Sequence, residues 1–131
     1  MDAEKIEWSP ALALGNATID RQHEKLFDVA AAMVEDRDQM RAMRTLAALS
    51  EYVIVHFRDE EKILEEAGYP GLAEHKKLHD AFRSRLARLY ANAGGMTLDA
   101  IAAQVRVLVN EWLANHIMVA DREYMKFLSG R

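Results

Sequence analysis

At 131 residues the chain is long enough for one domain at roughly 150 residues each, and with half its residues hydrophobic it is too apolar for disorder. A net charge of -4, from 17 basic and 21 acidic side chains, offers no basic stripe for a phosphate backbone, so no nucleic-acid partner is expected. Cysteine is absent, which excludes a disulfide framework, a thiolate zinc site, an iron–sulfur cluster and CxxCH haem attachment; any metal must be held by His, Asp and Glu.

Residues 1–17, with Trp8, Pro10 and Gly15, read as an irregular leader packed on a single domain spanning 1–131. The opening Met-Asp-Ala-Glu-Lys lacks the basic and apolar regions of a secretory signal. No apolar run approaches the roughly 18–20 residues that cross a bilayer, so no membrane insertion is expected and a cytoplasmic location is.

The first helix is predicted from about Ile19 to Asp38, with Leu26, Phe27, Ala30, Met33 and Val34 at helical spacing. The second runs from about Met40 to Glu66, with Leu46, Leu49, Val53, Ile63 and Leu64 on one stripe. Gly68 is placed to cap its C-terminus and Pro70 to open the next helix. The third, about Gly71 to Ala91, turns Leu72, Phe82, Leu86 and Leu89 inward. Gly94 and Gly95 break the chain, and Thr97 suits the N-cap of a fourth helix carrying Leu98, Ile101, Val105, Leu108, Trp112, Tyr124 and Phe127. No segment alternates like a strand. The expected fold is all-α, an antiparallel up-down-up-down four-helix bundle.

The five histidines continue the apolar stripes. The series 49, 53, 56, 60, 63 carries His56 and Glu60 inward, and 72, 75, 79, 82, 86 carries His75 and His79. His23 lies one turn before Leu26 and Phe27, and His116 one turn after Trp112. One histidine on an apolar face is usually a hydrogen-bonded core residue, and Glu60 sits in a charged run, Arg58-Asp59-Glu60-Glu61-Lys62. Burying this many unsatisfied polar groups, however, costs roughly 1–3 kcal/mol each. Topology supplies an independent test. The start of helix one, end of two, start of three and end of four share one end of such a bundle. His23, His56, Glu60, His75, His79, His116 and Asp121 all fall within roughly 5–20 Å of that end at about 1.5 Å per residue. The seven groups can therefore converge.

Several sites fail on the residues. His75 and His79 can share a metal, but Lys76, Lys77 and Leu78 between them leave no HExxH glutamate. A ferritin-type site needs two Glu-x-x-His pairs, and no histidine here has a glutamate three residues before it. A haem would use two of these histidines at most. Five imidazoles, two bridging carboxylates and one oxygen bridge fill about eleven of the roughly twelve positions around two octahedral ions, and nitrogen-rich ligands suit iron. One position stays open, as a reversible small-ligand site requires.

The elements Ile19-Asp20-Arg21-Gln22-His23, His56-Phe57 with Glu60-Glu61, Gly68-Tyr69-Pro70 leading to His75 and His79, and Trp112 with His116-Ile117 and Asp121 resemble those of the hemerythrins, in their single-domain bacterial form. The likeness runs from Trp8 to Phe127; Ser9-Pro10-Ala11 depart from it. It implies two non-haem irons, one held by His75, His79 and His116 and the other by His23 and His56. Glu60 and Asp121 would bridge them beside an oxo or hydroxo group. The family binds O2 at the iron with fewer histidines, drawing one electron from each iron and a proton from the bridge, and release reverses this. Leu26, Phe57, Trp112 and Ile117, each beside a ligand or one turn away, are the candidates for an apolar ligand pocket. Met118 and the small Ala114 are further candidates for its lining and for gas access.

The function expected from this likeness is reversible O2 binding for transport, storage or delivery to an oxygen-consuming enzyme, by a monomer that is not itself an enzyme. An enzyme reducing nitric oxide or peroxide is the alternative, and no further carboxylate or tyrosine is placed at the vacancy to favour it. A sensor would need a signalling domain, for which a chain this short leaves no room. One geometric expectation follows. His116 and Asp121 are five residues apart, about 140° around a regular helix. The fourth helix should therefore widen between Leu113 and Asp121, or Asp121 must reach around.

Overall fold

The computed structural model describes residues 5–130. Residues 1–4 of the expected leader, and Arg131, lie outside the described residues. The rest of the leader makes a single 3-10 turn at Pro10–Leu12. Ile6 and Leu12 are buried, and Trp8 and Leu14 pack against the bundle. Asn110 Nδ2 donates to the carbonyl of Lys5, and the Arg122 guanidinium to that of Ala11, so polar bonds tie the leader to the last helix as well.

Helix α1, Ala17–Glu35, begins two residues before the expected Ile19 because Asn16 caps it, its side chain accepting from the Ile19 amide at 3.1 Å. It stops short of the expected Asp38. The Asp36 carboxylate accepts from the Asp38 amide at 2.9 Å, and Asp38 in turn caps α2 through the Arg41 amide at 2.9 Å. Helix α2, Gln39–Ala67, ends at Gly68, whose φ of +71° is the left-handed conformation that favours glycine. Pro70 does not open α3, Leu72–Asn92; Gly71 is the N-cap, where a Cβ would stand 2.9 Å from the Tyr69 ring. After a 3-10 turn at Ala93–Gly95, Thr97 caps the last helix by accepting from the Ala100 amide at 3.1 Å, as its sequence position predicts.

Helix α4 occupies residues 98–129 and is not uniform. Its α-helical pieces Leu98–Arg106, Ala114–His116 and Arg122–Ser129 are separated by π-helical stretches at Val107–Leu113 and Ile117–Asp121. The second stretch is the widening that the His116–Asp121 spacing demands. The first changes the inward register. With π spacing, Leu108 is followed on the buried face by Leu113 and not by Trp112, which is half-buried.

Consecutive helices joined by short links pack as neighbours, α1 on α2 and α2 on α3, and α4 closes the bundle against α1 and α3. Among the described residues there is no strand, and no helix is long and apolar enough to cross a membrane. The main core includes Leu26, Phe27, Leu46, Val53, Phe57, Phe82, Leu86, Val105, Leu113 and Ile117; a smaller cluster joins Ile19, Leu64 and Tyr124. Ile63 departs from the predicted stripe and is 38% exposed. It lies about 70° from the centre of the buried face of α2, and Leu64 takes the inward place.

Candidate metal centre

In sequence, each helix passes from the main core to the smaller cluster through its polar residues. His23 follows Ile19 on α1, His56 and Glu60 lie between Val53 and Leu64 on α2, and His116 and Asp121 precede Tyr124 on α4. Every one of the seven predicted groups is buried, none more than 5% exposed. The charged run around Glu60 therefore divides, with Glu60 inside and its neighbours Asp59 and Glu61 less buried.

The two carboxylates divide their oxygens. Glu60 Oε1 lies 2.9 Å from both His75 Nε2 and His79 Nε2, while Oε2 lies 3.6 Å from His56 Nε2 and 3.8 Å from His23 Nε2. Asp121 Oδ1 lies 3.1 Å from both His75 Nε2 and His116 Nε2, and Oδ2 lies 3.4 Å from His23 Nε2. Two groups of donor atoms result, each within 4.8 Å of one another: Glu60, His75, His79, His116 and Asp121 in one, and His23, His56 and Glu60 in the other.

Many of these atoms approach without forming hydrogen bonds. The Nε2 atoms of His56, His79 and His116 and both oxygens of Asp121 are buried with no hydrogen-bond partner. Buried polar atoms are nearly always satisfied, so such a concentration needs a partner that is not a protein group. Imidazole nitrogens and carboxylate oxygens converging without aligned hydrogens suit divalent transition-metal ions. The residues fit a metal pair.

Without metal the cluster is held by charge. Burial lowers the pKa of His23 and of His75, but the close negative carboxylates of Asp121 and Glu60 outweigh it and raise both to about 9. For Glu60 and Asp121 burial acts upward, and the surrounding histidines nonetheless hold both below the usual carboxylate range. His56 is pushed the other way, down to about 4, chiefly by burial.

Three partners of these groups escaped the sequence reading. Tyr124, read there only as an apolar stripe residue, donates its hydroxyl to Glu60 Oε2 at 2.9 Å. A tyrosine thus stands at the cluster where none was expected, with its O–H committed to a carboxylate and its pKa driven up by burial and by Glu60 and Asp121. Gln22 Oε1 accepts from His56 Nδ1 at 2.7 Å, and Glu61 Oε2 from His79 Nδ1 at 2.7 Å. Gln22 and Glu61 adjoin His23 and Glu60 in sequence, yet each serves a histidine on another helix. Only the packing reveals that.

Of the pocket candidates, Leu26, Phe57 and Ile117 are fully buried. The Phe57 ring stacks on His79 with centroids 3.7 Å apart, and Trp112 stacks on His116 at 5.1 Å. Trp112 and His116 also line an open groove of about 570 Å³ between α3 and α4. Ala114 is half-buried against the core, whereas Met118 faces outward at 45% exposure and cannot line an interior pocket.

Five buried imidazoles and two buried carboxylates inside a four-helix bundle define a histidine–carboxylate, non-haem metal-binding protein. The chain belongs to the family described as the hemerythrin HHE cation binding domain, whose pattern matches residues 14–128. It is 34% identical over 124 residues to a bacteriohemerythrin of Stenotrophomonas maltophilia, covering 91% of this chain and 78% of that protein. It is 29% identical over 117 residues to the myohemerythrin of Riftia pachyptila, covering 89% and 88%. A solved structure whose title describes a leucine-to-phenylalanine mutant superposes with a TM-score of 0.78 at 26% identity, over 91% of this chain and 93% of the other. The family is one of O2-binding proteins with a non-haem di-iron centre, a class of binding proteins and not of enzymes.

Proposed function

We propose that this chain binds O2 reversibly for transport, storage or delivery to an oxygen-consuming enzyme, as a cytoplasmic monomer. His75, His79 and His116 hold one iron, His23 and His56 hold the other, and Glu60 and Asp121 bridge the two. The observation that carries the reading is the division of the carboxylates, each of which turns one oxygen toward the three-histidine group and the other toward His23. A bound iron pair would supply the two electrons that O2 takes up on binding. The chain supplies the surroundings. Leu26, Phe57 and Ile117 form an apolar wall, completed on one side by the Trp112 ring, that withholds hydrogen-bond partners from entering water.

Metal analysis after iron-replete expression should give two irons per chain; a single ion, or zinc in preference, would refute the ligand assignment. Exposing the reduced, iron-loaded protein to air should give a coloured form that reverts under vacuum. Steady consumption of the oxidant would point to an enzyme instead.

A further inference from the structure

The histidines that face the cluster are not supported alike behind their rings. His79 Nδ1 donates to the carboxylate of Glu61 at 2.7 Å. His56 Nδ1 donates to a neutral amide oxygen of Gln22, also at 2.7 Å. His23 Nδ1 is buried with no partner at all. The carboxylate-backed ring belongs to the three-histidine group, and the amide-backed and unsupported rings form the two-histidine group.

Around His79 the support is built from two helices with matching one-turn spacing. Phe57 and Glu61 are four apart on α2, and His79 and Arg83 are four apart on α3. Phe57 lies flat on the His79 ring, with centroids 3.7 Å apart and planes parallel. Arg83 reaches back over both partners, its Nη2 3.7 Å from Glu61 Oε2 and its guanidinium carbon 5.7 Å from the Phe57 centroid. A second carboxylate, Asp80, pairs with the same Nη2 of Arg83. Face, edge and backing of His79 are all fixed.

We propose that Glu61, held by Arg83, is a positioning residue that locks His79 in its Nδ1–H form and makes the three-histidine position the tighter of the two metal positions. This rests on the metal-pair reading above. A carboxylate accepting from Nδ1 leaves Nε2 as the free lone pair aimed at the cluster and makes it the stronger donor to a cation. An amide oxygen orients a ring without adding negative charge, and an unsupported ring is free to choose the wrong tautomer. The third histidine and the charged backing therefore act in the same direction. The His23–His56 position should fill last and empty first.

The test is an anaerobic titration of the metal-free full chain with cobalt(II), followed by visible absorbance and equilibrium dialysis, with ring-nitrogen NMR to report the His79 tautomer. The native chain should bind two ions in two resolved steps. Glu61→Gln should weaken the tighter step about 10–100-fold, leave the weaker within about threefold and keep the fixed Nδ1–H signal, which Glu61→Leu, with no acceptor, should lose. Gln22→Leu should do the reverse, weakening the second step. Arg83→Met, farther from the core, should act as Glu61→Gln does but by about three- to tenfold, and it decides the matter if Glu61→Gln fails to fold. Unchanged steps in a folded Glu61 variant, or equal weakening of both, would overturn the proposal while leaving the metal-pair reading intact. Failure of the native chain to bind two ions would overturn both.

Discussion

Asp121 Oδ1 lies 3.1 Å from Nε2 of His116, five residues back along the same helix. A regular α-helix would turn the two side chains about 140° apart. The π-helical stretch Ile117–Asp121 brings them onto one face, and such single wide turns concentrate at functional sites. The same turn carries Asp121 Oδ2 to His23 on α1, so one backbone irregularity supplies both ends of the cluster with a shared anion.

Replacing Asp121 by alanine removes that anion without touching a histidine. In the metal-free protein, His23 and His75 lose one of the two carboxylates that raise them to about 9. Both should then titrate lower, as imidazole proton NMR would register. The variant should also retain fewer than two metals per chain. Full loading with native affinity would remove Asp121 from the bridging role.

The pH dependence of the metal-free fold follows from the same groups. His23 and His75, raised from 6.5 to about 9, contribute stability that is fully present below pH 6.5 and is lost as the pH rises through 9. Glu60 and Asp121 are depressed, so their contribution is present above their unfolded values of 4.5 and 3.8 and is lost in acid. His56, depressed from 6.5 to about 4, also removes stability as the pH falls through that interval, because the unfolded chain takes up its proton first. Urea unfolding of the metal-free chain should show maximal stability near pH 6.5 and a decline toward pH 9. Rising stability over the alkaline range would contradict the assigned ion pairs.

Metal should reverse the alkaline loss. Its ligands bind only when deprotonated and only when the helices are assembled, so loading releases protons and stabilises the fold by mass action. The loaded protein should melt above the metal-free one, and the gap should widen from pH 6 to 8 as proton competition falls. Scanning calorimetry of both forms checks this, and coincident melting temperatures would argue against a shared buried site.

The residues that carry local rules were legible in the sequence. Gly68 and Thr97 cap where turn chemistry puts them, and all five histidines and Glu60 are buried because their spacing continues the apolar stripes, whereas Asp121 turns inward through the π-helical stretch Ile117–Asp121. What stayed hidden depends on contacts between helices or on departures from ideal periodicity. Trp112 was assigned the inward place that belongs to Leu113, because the π-helical stretch Val107–Leu113 shifts the register with no proline or glycine within it to mark the change. Ile63 stands one residue before the inward Leu64 at the edge of the buried face, too far round the helix to reach the core. Tyr124 shows a ring to any hydrophobic count, and nothing local says its hydroxyl will meet Glu60 from a distant part of the chain.

The apolar wall makes the last prediction. For O2 to leave as it arrived, no proton donor or competing anion should reach the centre while the ligand is held. Apolar side chains slow such entry because a polar intruder finds no hydrogen-bond partner among them. Leu26 is fully buried one turn after His23, on the side of the two-histidine group to which the open position is assigned. Leu26→Ser places a hydroxyl there and leaves space beside it. It should keep both irons, still take up O2, and lose reversibility faster, with the oxidised, unliganded form accumulating over repeated air–vacuum cycles. Packing loss of about 2–4 kcal/mol is expected from comparable large-to-small changes, so metal content and melting must be measured on the same sample. Leu26→Met, which keeps the site apolar and nearly filled, should cost less stability and cycle like the native chain. If the folded, fully loaded serine variant also cycles like the native chain, Leu26 is packing alone, and the open position lies toward Trp112 and His116.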